Sequence, residues 1–347
     1  LSVRDLQYRF VFARFNAYFT FQYAFHATPI LEHAWALALE LIGTAAVFVA
    51  LLRASGGRFA LALALTVVAL GLAVPTTDAL VFPIAHHPPK ALAMTYRQLT
   101  FALDGLCLLA LVSWGPVRLA AVLVALTFVH PLESLHAHAL ACAALAPSAL
   151  RARSLRPLLA VLASGALLVA FVVLTPADFG GREDFLHVRG MEHLWLAAKQ
   201  VPEWSLLAVV TNINLFPSLF IGLGMPALIA AYLGGRTSAA TVLADSLHER
   251  LFGALAAIGV VVIAGLGVEV SAAALPALVI ERYTSLQLPR LLAWAPTLAI
   301  ALIAHEWPRA KRARIRIAGL AVVCGMWVLS AIAALRLSAA QAPADVL

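Results

Sequence analysis

Apolar stretches of near-membrane length recur along almost the whole chain, and each closes on a short polar or basic cluster. A bilayer span needs roughly 20 mostly apolar residues, because the hydrocarbon core is about 30 Å thick. On that measure, spans are expected at about 34–52, 59–74, 92–111, 157–174, 206–233, 251–268, 288–304 and 317–335. The first stops at Arg53 and Arg58, the second near Pro75 and Asp78, and the third at Gly115-Pro116-Val117-Arg118. The opening residues mix aromatic and charged side chains (Arg4, Asp5, Tyr8, Arg9, Phe10), the pattern of a helix lying at headgroup level. The expected organisation is therefore an interfacial segment 1–30, a single transmembrane domain 31–336 and a polar tail 337–347. No internal repeat, low-complexity tract or linker interrupts it.

The stretch between Gly115 and Arg156 breaks the pattern. Residues 119–129 form an apolar run too short to cross, His130-Pro131 interrupts it, and 132–146 continues apolar but carries Glu133, His136 and His138. Either one long helix is kinked there, or two half-helices meet at His130-Pro131. Charge separates the two. With a re-entrant pair, Arg53, Arg58, Arg118, the Arg151–Arg156 and Arg309–Arg316 clusters, Arg236 and Arg250 fall on one side, 13 of the 24 Lys and Arg. A single crossing flips every later loop and erases the bias, so the positive-inside rule favours the pair. The fold class expected is thus all-α, a polytopic bundle of about eight spans plus a broken re-entrant helix pair. Its longest outer loop is 175–205.

Composition agrees. The chain is 63% hydrophobic and 12% charged, with a mean hydropathy of +0.94, against about 45–50% and 25% in soluble domains. No room is left for a soluble catalytic domain. The net charge of +7 sits in clusters between apolar runs, so the basic balance points to a bilayer and not to nucleic acid. Cys107, Cys142 and Cys324 lie in apolar runs without metal-ligand or disulfide spacing. No metal-binding motif occurs, and a divalent ion stays open as a cofactor. The chain begins at Leu1 without a secretory leader pattern, and its natural N-terminus is expected to precede that residue.

Irregular backbone at membrane depth is tolerated only in protein or beside a cavity, so His130-Pro131 marks a candidate cavity. His130 and Glu133 share a helical face if the helix runs through them; the bland reading is that His130 caps the break. His136 and His138, two apart, cannot share a face. Arg97 and Asp104 are costly inside a span and need partners, with Glu40 a candidate for Arg97. Asn212, Asn214 and Pro217 imply a second break. Arg282, Gln287 and Arg290 stand near the outer surface, where arginine suits bidentate contact with a lipid phosphate; snorkelling to the headgroups is the plainer alternative. Trp114, Trp204, Tyr283 and Trp294 are expected as interfacial anchors.

Tyr96-Arg97-Gln98, the turn Gly115-Pro116-Val117-Arg118, the run Thr127-Phe128-Val129-His130-Pro131 and the late Gln287-Leu288-Pro289-Arg290 occur in that order. This order resembles bacterial GT-C glycosyltransferases over residues 30–304. The resemblance implies a sugar taken from a polyprenyl-phosphate carrier at the outer face of a bacterial-type inner membrane. It also implies a catalytic acid in the first outer loop, after a first span. No span precedes residue 30, and Asp5 is the only acid before Glu32, so Asp5 is the candidate for the tail of that motif. Under this reading Arg290, with Arg282 and Gln287, holds the lipid phosphate, while His130, Glu133, Arg97 and Asp104 line the substrate cavity. The competing expectations are a transporter or flippase with a midplane site at broken helices, a haem-bearing redox subunit suggested by the 11 histidines, and a non-catalytic scaffold subunit.

Overall fold

The computed structural model describes residues 29–71, 74–75, 80–81, 96–174, 246–271 and 294–307, with isolated positions 206, 274–275, 283, 288, 291, 321 and 325. Eight helices make up this part: α1 (Pro29–Ala54), α2 (Phe59–Gly71), α3 (Tyr96–Ser113), α4 (Pro116–Val129), α5 (Pro131–Ala152), α6 (Arg156–Leu174), α7 (Ser246–Val270) and α8 (Trp294–Glu306). A two-residue antiparallel ladder pairs Val74–Pro75 with Leu80–Val81, where the second span was expected to end. The interfacial segment, the 175–205 loop, the tail and the 206–233 and 317–335 spans lie outside the described residues, single positions apart.

The break at His130 is a reversal and not a kink. Pro116 and Pro131 open α4 and α5 at first-turn positions that need no amide hydrogen. His130 between them is extended, and its Nδ1 accepts from the Glu133 amide. One turn on, the Ser134 hydroxyl lies 2.8 Å from the Thr127 hydroxyl and donates to the Leu123 carbonyl at 3.2 Å. In a continuous helix, eleven residues at 1.5 Å each would hold Leu123 and Ser134 roughly 16 Å apart. The α4 and α5 helices therefore lie side by side as a hairpin.

Its two feet are at the same end of the bundle. An Arg250 Nη1 of α7 approaches the Leu111 carbonyl near the end of α3, and Arg151 at the end of α5 forms an ion pair with Glu249 of α7. His248 Nδ1 meets Glu306, the last residue of α8, at 2.8 Å. One end of the bundle thus gathers the end of α3, the feet of the hairpin, the start of α7 and the end of α8.

Helix α8 is central. From Thr297 to Ala304 every described side chain is buried against α1, α2 and α7, as expected of a helix apolar all round. Elsewhere small residues admit close approach. A Cβ on Gly105 of α3 would come 2.7 Å from the Gly43 carbonyl of α1. One on Gly253 of α7 would meet the Ala143 carbonyl of α5 at the same distance. Ala143 is four residues before Pro147, whose missing N–H leaves that carbonyl without its helical donor.

Two helices, over Leu37–Ala54 and Leu247–Val270, are long and apolar enough to cross a membrane. Only 39% and 28% of these windows are buried by protein, unlike the core helix of a soluble domain. Their uncovered positions include Leu37, Leu41, Ile42, Val260 and Ile263. Water would be a poor solvent for such faces, at about 25 cal/mol per Å² of apolar surface; hydrocarbon is a good one. The helices at Phe59–Leu70, Leu99–Ser113, Pro116–Val129, Arg156–Phe171 and Thr297–Glu306 are apolar but shorter.

Candidate functional site

Polar side chains inside this apolar bundle are few, and they concentrate around the hairpin. Thr127, Ser134, His138 and Ser164 form one buried chain of hydrogen bonds through α4, α5 and α6. The His138 ring meets Ser134 through Nδ1, with the carbonyl at 2.7 Å, and Ser164 through Nε2 at 2.9 Å. Both ring nitrogens are used, so His138 cross-links helices. His136, two residues back, is also buried.

At the tip of the hairpin the arrangement changes from cross-link to candidate site. Glu133, in the first turn of α5, is 3% exposed, and its Oε1 accepts a 2.8 Å hydrogen bond from the indole Nε1 of Trp294. Trp294 is the first residue of α8, so this bond fastens the tip to the end of α8 opposite Glu306. The interfacial-anchor expectation for Trp294 is thereby corrected: the ring is 7% exposed and its polar atom faces a buried carboxylate. Asp104, midway along α3, is equally buried. Asp104 Oδ1 and the Thr297 hydroxyl, one turn beyond Trp294, have no hydrogen-bond partner among the described residues.

A second clasp closes the same end of the bundle. Glu269, in the last turn of α7, accepts from the Leu206 amide at 2.8 Å and from the Tyr283 hydroxyl at 2.6 Å. Tyr283 is buried and is not an interfacial anchor. Burial raises its phenol well above the usual tyrosine range, and the Glu269 hydrogen bond and charge add to the shift. Leu288 and the Tyr283 hydroxyl lie over Gly265 of α7, and Leu291 is buried.

The structure therefore brings together two of the expected residues, His130 and Glu133, and buries Asp104 midway along α3. His130 and Glu133 meet because one caps the other's helix, not because a helix runs through both. Arg97 lies in the first turn of α3, its side chain outside the description, and Glu40 is exposed on α1. Asp5, Arg282, Gln287 and Arg290 lie outside the described residues. Trp294, Glu269, Ser134 and Thr297 were not foreseen. An acid at the end of an apolar run is the available signal for Glu269, and no local pattern pairs Ser134 with Thr127 across the His130-Pro131 break. Among the described residues no three His, Cys, Asp or Glu side chains converge as a metal site. Comparison with family models, curated proteins and solved structures gave no match.

Proposed function

We propose that the chain is a multi-pass membrane protein of about eight spans in which the α4–α5 hairpin is re-entrant, and that it transfers a sugar from a polyprenyl-phosphate carrier at the outer face. The observation that carries this reading is the Glu133–Trp294 hydrogen bond. It ties the His130-Pro131 tip to the start of α8, and Arg290 precedes Trp294 by four residues, a chain reach of at most roughly 14 Å. That short connection supports a reading in which the two most distinctive motifs of the sequence, far apart in the chain, work at one end of the bundle.

Depth fits as well. Helix α4 has 14 residues, or roughly 21 Å, so a hairpin footed at the basic face stops short of the far side of a core about 30 Å thick. A pocket above the tip would open to the outer face. There Arg290, with Arg282 and Gln287, would hold the lipid phosphate by charge-assisted hydrogen bonds. The acceptor oxygen attacks the anomeric carbon, the bond from that carbon to the phosphate oxygen breaks, and the phosphate leaves with the electron pair. An outer carboxylate, for which Asp5 is the candidate, takes the acceptor proton.

The test is binding of undecaprenyl phosphate to the detergent-solubilised chain. Saturable binding that Arg290→Ala weakens by about tenfold or more, the loss of one charge-assisted contact, supports the reading. Absence of binding by the unmodified chain sinks it and brings transport or scaffolding forward.

A further inference from the structure

We infer that Arg250 binds the phosphate of an anionic phospholipid headgroup at the basic face of the bundle. The inference goes beyond the sugar-transfer reading and needs only that α7 crosses the bilayer. Arg250 lies one turn inside the start of α7 and is half-buried. Its Nη1 comes no nearer than 3.5 Å to the Leu111 carbonyl, the outer limit of a hydrogen bond. Its Nε is shielded from solvent and meets no partner among the described residues. A guanidinium carries five donors in a planar fork, so most of that capacity is unspent.

The acids at this end do not supply the missing charge. Glu249 pairs with Arg151, and Glu306 with His248 at 2.8 Å. Glu249 and Arg250 are consecutive on a helix, so their side chains diverge and do not face each other. The shape of this end suits a headgroup. Helices α4 and α5 share the tip at His130, and α5 is eight residues longer, so its foot projects roughly 12 Å past that of α4. The Arg151–Glu249 ion pair holds the start of α7 beside that projecting foot. The two stand over the turn between α3 and α4, with Arg250 at their base against Leu111. Trp114, half-buried in that turn, is a residue type that favours headgroup depth. Arg118 is exposed beside it and adds a second cation, and Val117, 72% exposed, offers apolar surface to an acyl chain. A phosphate that carries acyl chains uses both surfaces, whereas free phosphate leaves Val117 in water.

The test titrates the full chain in dodecyl maltoside with dioleoyl phosphatidylglycerol, dioleoyl phosphatidylcholine or inorganic phosphate. Binding is read from the rise in melting temperature that a ligand of the folded state produces. We expect a saturable rise with phosphatidylglycerol whose midpoint Arg250→Gln weakens by about tenfold or more. Arg156→Gln, which removes an exposed charge from the same face, should weaken it by about threefold or less. Arg290→Ala should leave the midpoint unchanged, which separates this site from the one proposed for the polyprenyl carrier. Equal losses in Arg250→Gln and Arg156→Gln would reduce the binding to diffuse attraction and overturn the inference. So would equal affinity for phosphatidylcholine, or no rise with either lipid. A rise with inorganic phosphate alone would identify a free anion and overturn the lipid assignment. If Arg250→Gln does not fold, Arg250→Lys, which keeps the charge and loses the planar fork, carries the same comparison, and an unchanged midpoint there counts against the site.

Discussion

At the scale of the residue, the described chain puts unlike tasks on chemically similar side chains. Glu269 and Glu133 are both buried acids fastened by an aromatic donor, Tyr283 for one and Trp294 for the other. Tyr283 offers a pH handle. Its phenol is raised in the folded protein, so the folded state retains a proton that the unfolded chain gives up near pH 10. The stability linked to Tyr283 is complete below that pH and declines as pH rises above it. Tyr283→Phe should therefore flatten the alkaline limb of a plot of melting temperature against pH. At neutral pH it should cost about 1–3 kcal/mol, the range for a buried hydrogen-bond group left without its partner. An alkaline limb identical in the two proteins would discard the clasp as a stabilising contact.

Helices and their junctions are where the sequence was most and least informative. Pro116, Pro131 and the basic stops set the ends of α4 and α5 to within a few residues, because proline and charge act locally. The apolar run 119–129, too short to cross, extends back to Pro116 in α4, which Gly115-Pro116 starts. The arginine count bears on which side of a membrane the flanks lie, whereas the contacts between Leu123, Thr127 and Ser134 show only that α5 folds back along α4. What stayed illegible was every pairing across sequence distance. Nothing near Trp294 announces an acid 161 residues earlier, and an amphipathic tryptophan at a span end has the same local pattern whether it meets lipid headgroups or Glu133.

Magnitudes separate two tests at this scale. Ser134→Ala removes hydrogen bonds that in membrane proteins average about 0.6 kcal/mol and reach roughly 1.7. Gly105→Ala forces a methyl against the Gly43 backbone, where no side chain can swing aside, and overpacking costs about 1–3 kcal/mol. Gly105→Ala should therefore lower the unfolding midpoint in mild denaturant more than Ser134→Ala does. The reverse order would mean that α1 and α3 separate easily and that the hydroxyl chain is the main fastening of the bundle.

For the molecule as a whole, the proposed topology makes a side-specific claim. Arg118 begins one arm of the hairpin and Arg153 ends the other, so both should face the same compartment. In whole cells, Arg118→Cys and Arg153→Cys should resist an impermeant thiol reagent, and Arg182→Cys, in the expected outer loop, should react. Labelling of Arg118→Cys and Arg153→Cys from opposite sides would show that the segment crosses once and that the bundle inverts after it.

The unequal arms of the hairpin bear on how the chain reaches its membrane. Helix α4 alone is shorter than the hydrocarbon core, and α5 alone carries Glu133, His136 and His138, so neither is a good passenger for lateral exit from a translocation channel. Joined, α4 covers one flank of α5, and Ser134 and His138 meet their partners before they meet lipid tails. Under the proposed topology the pair would enter the bilayer as a unit, after translation has passed Ala152, and lengthening the Val129–Pro131 junction should trap the chain at that step of its biogenesis.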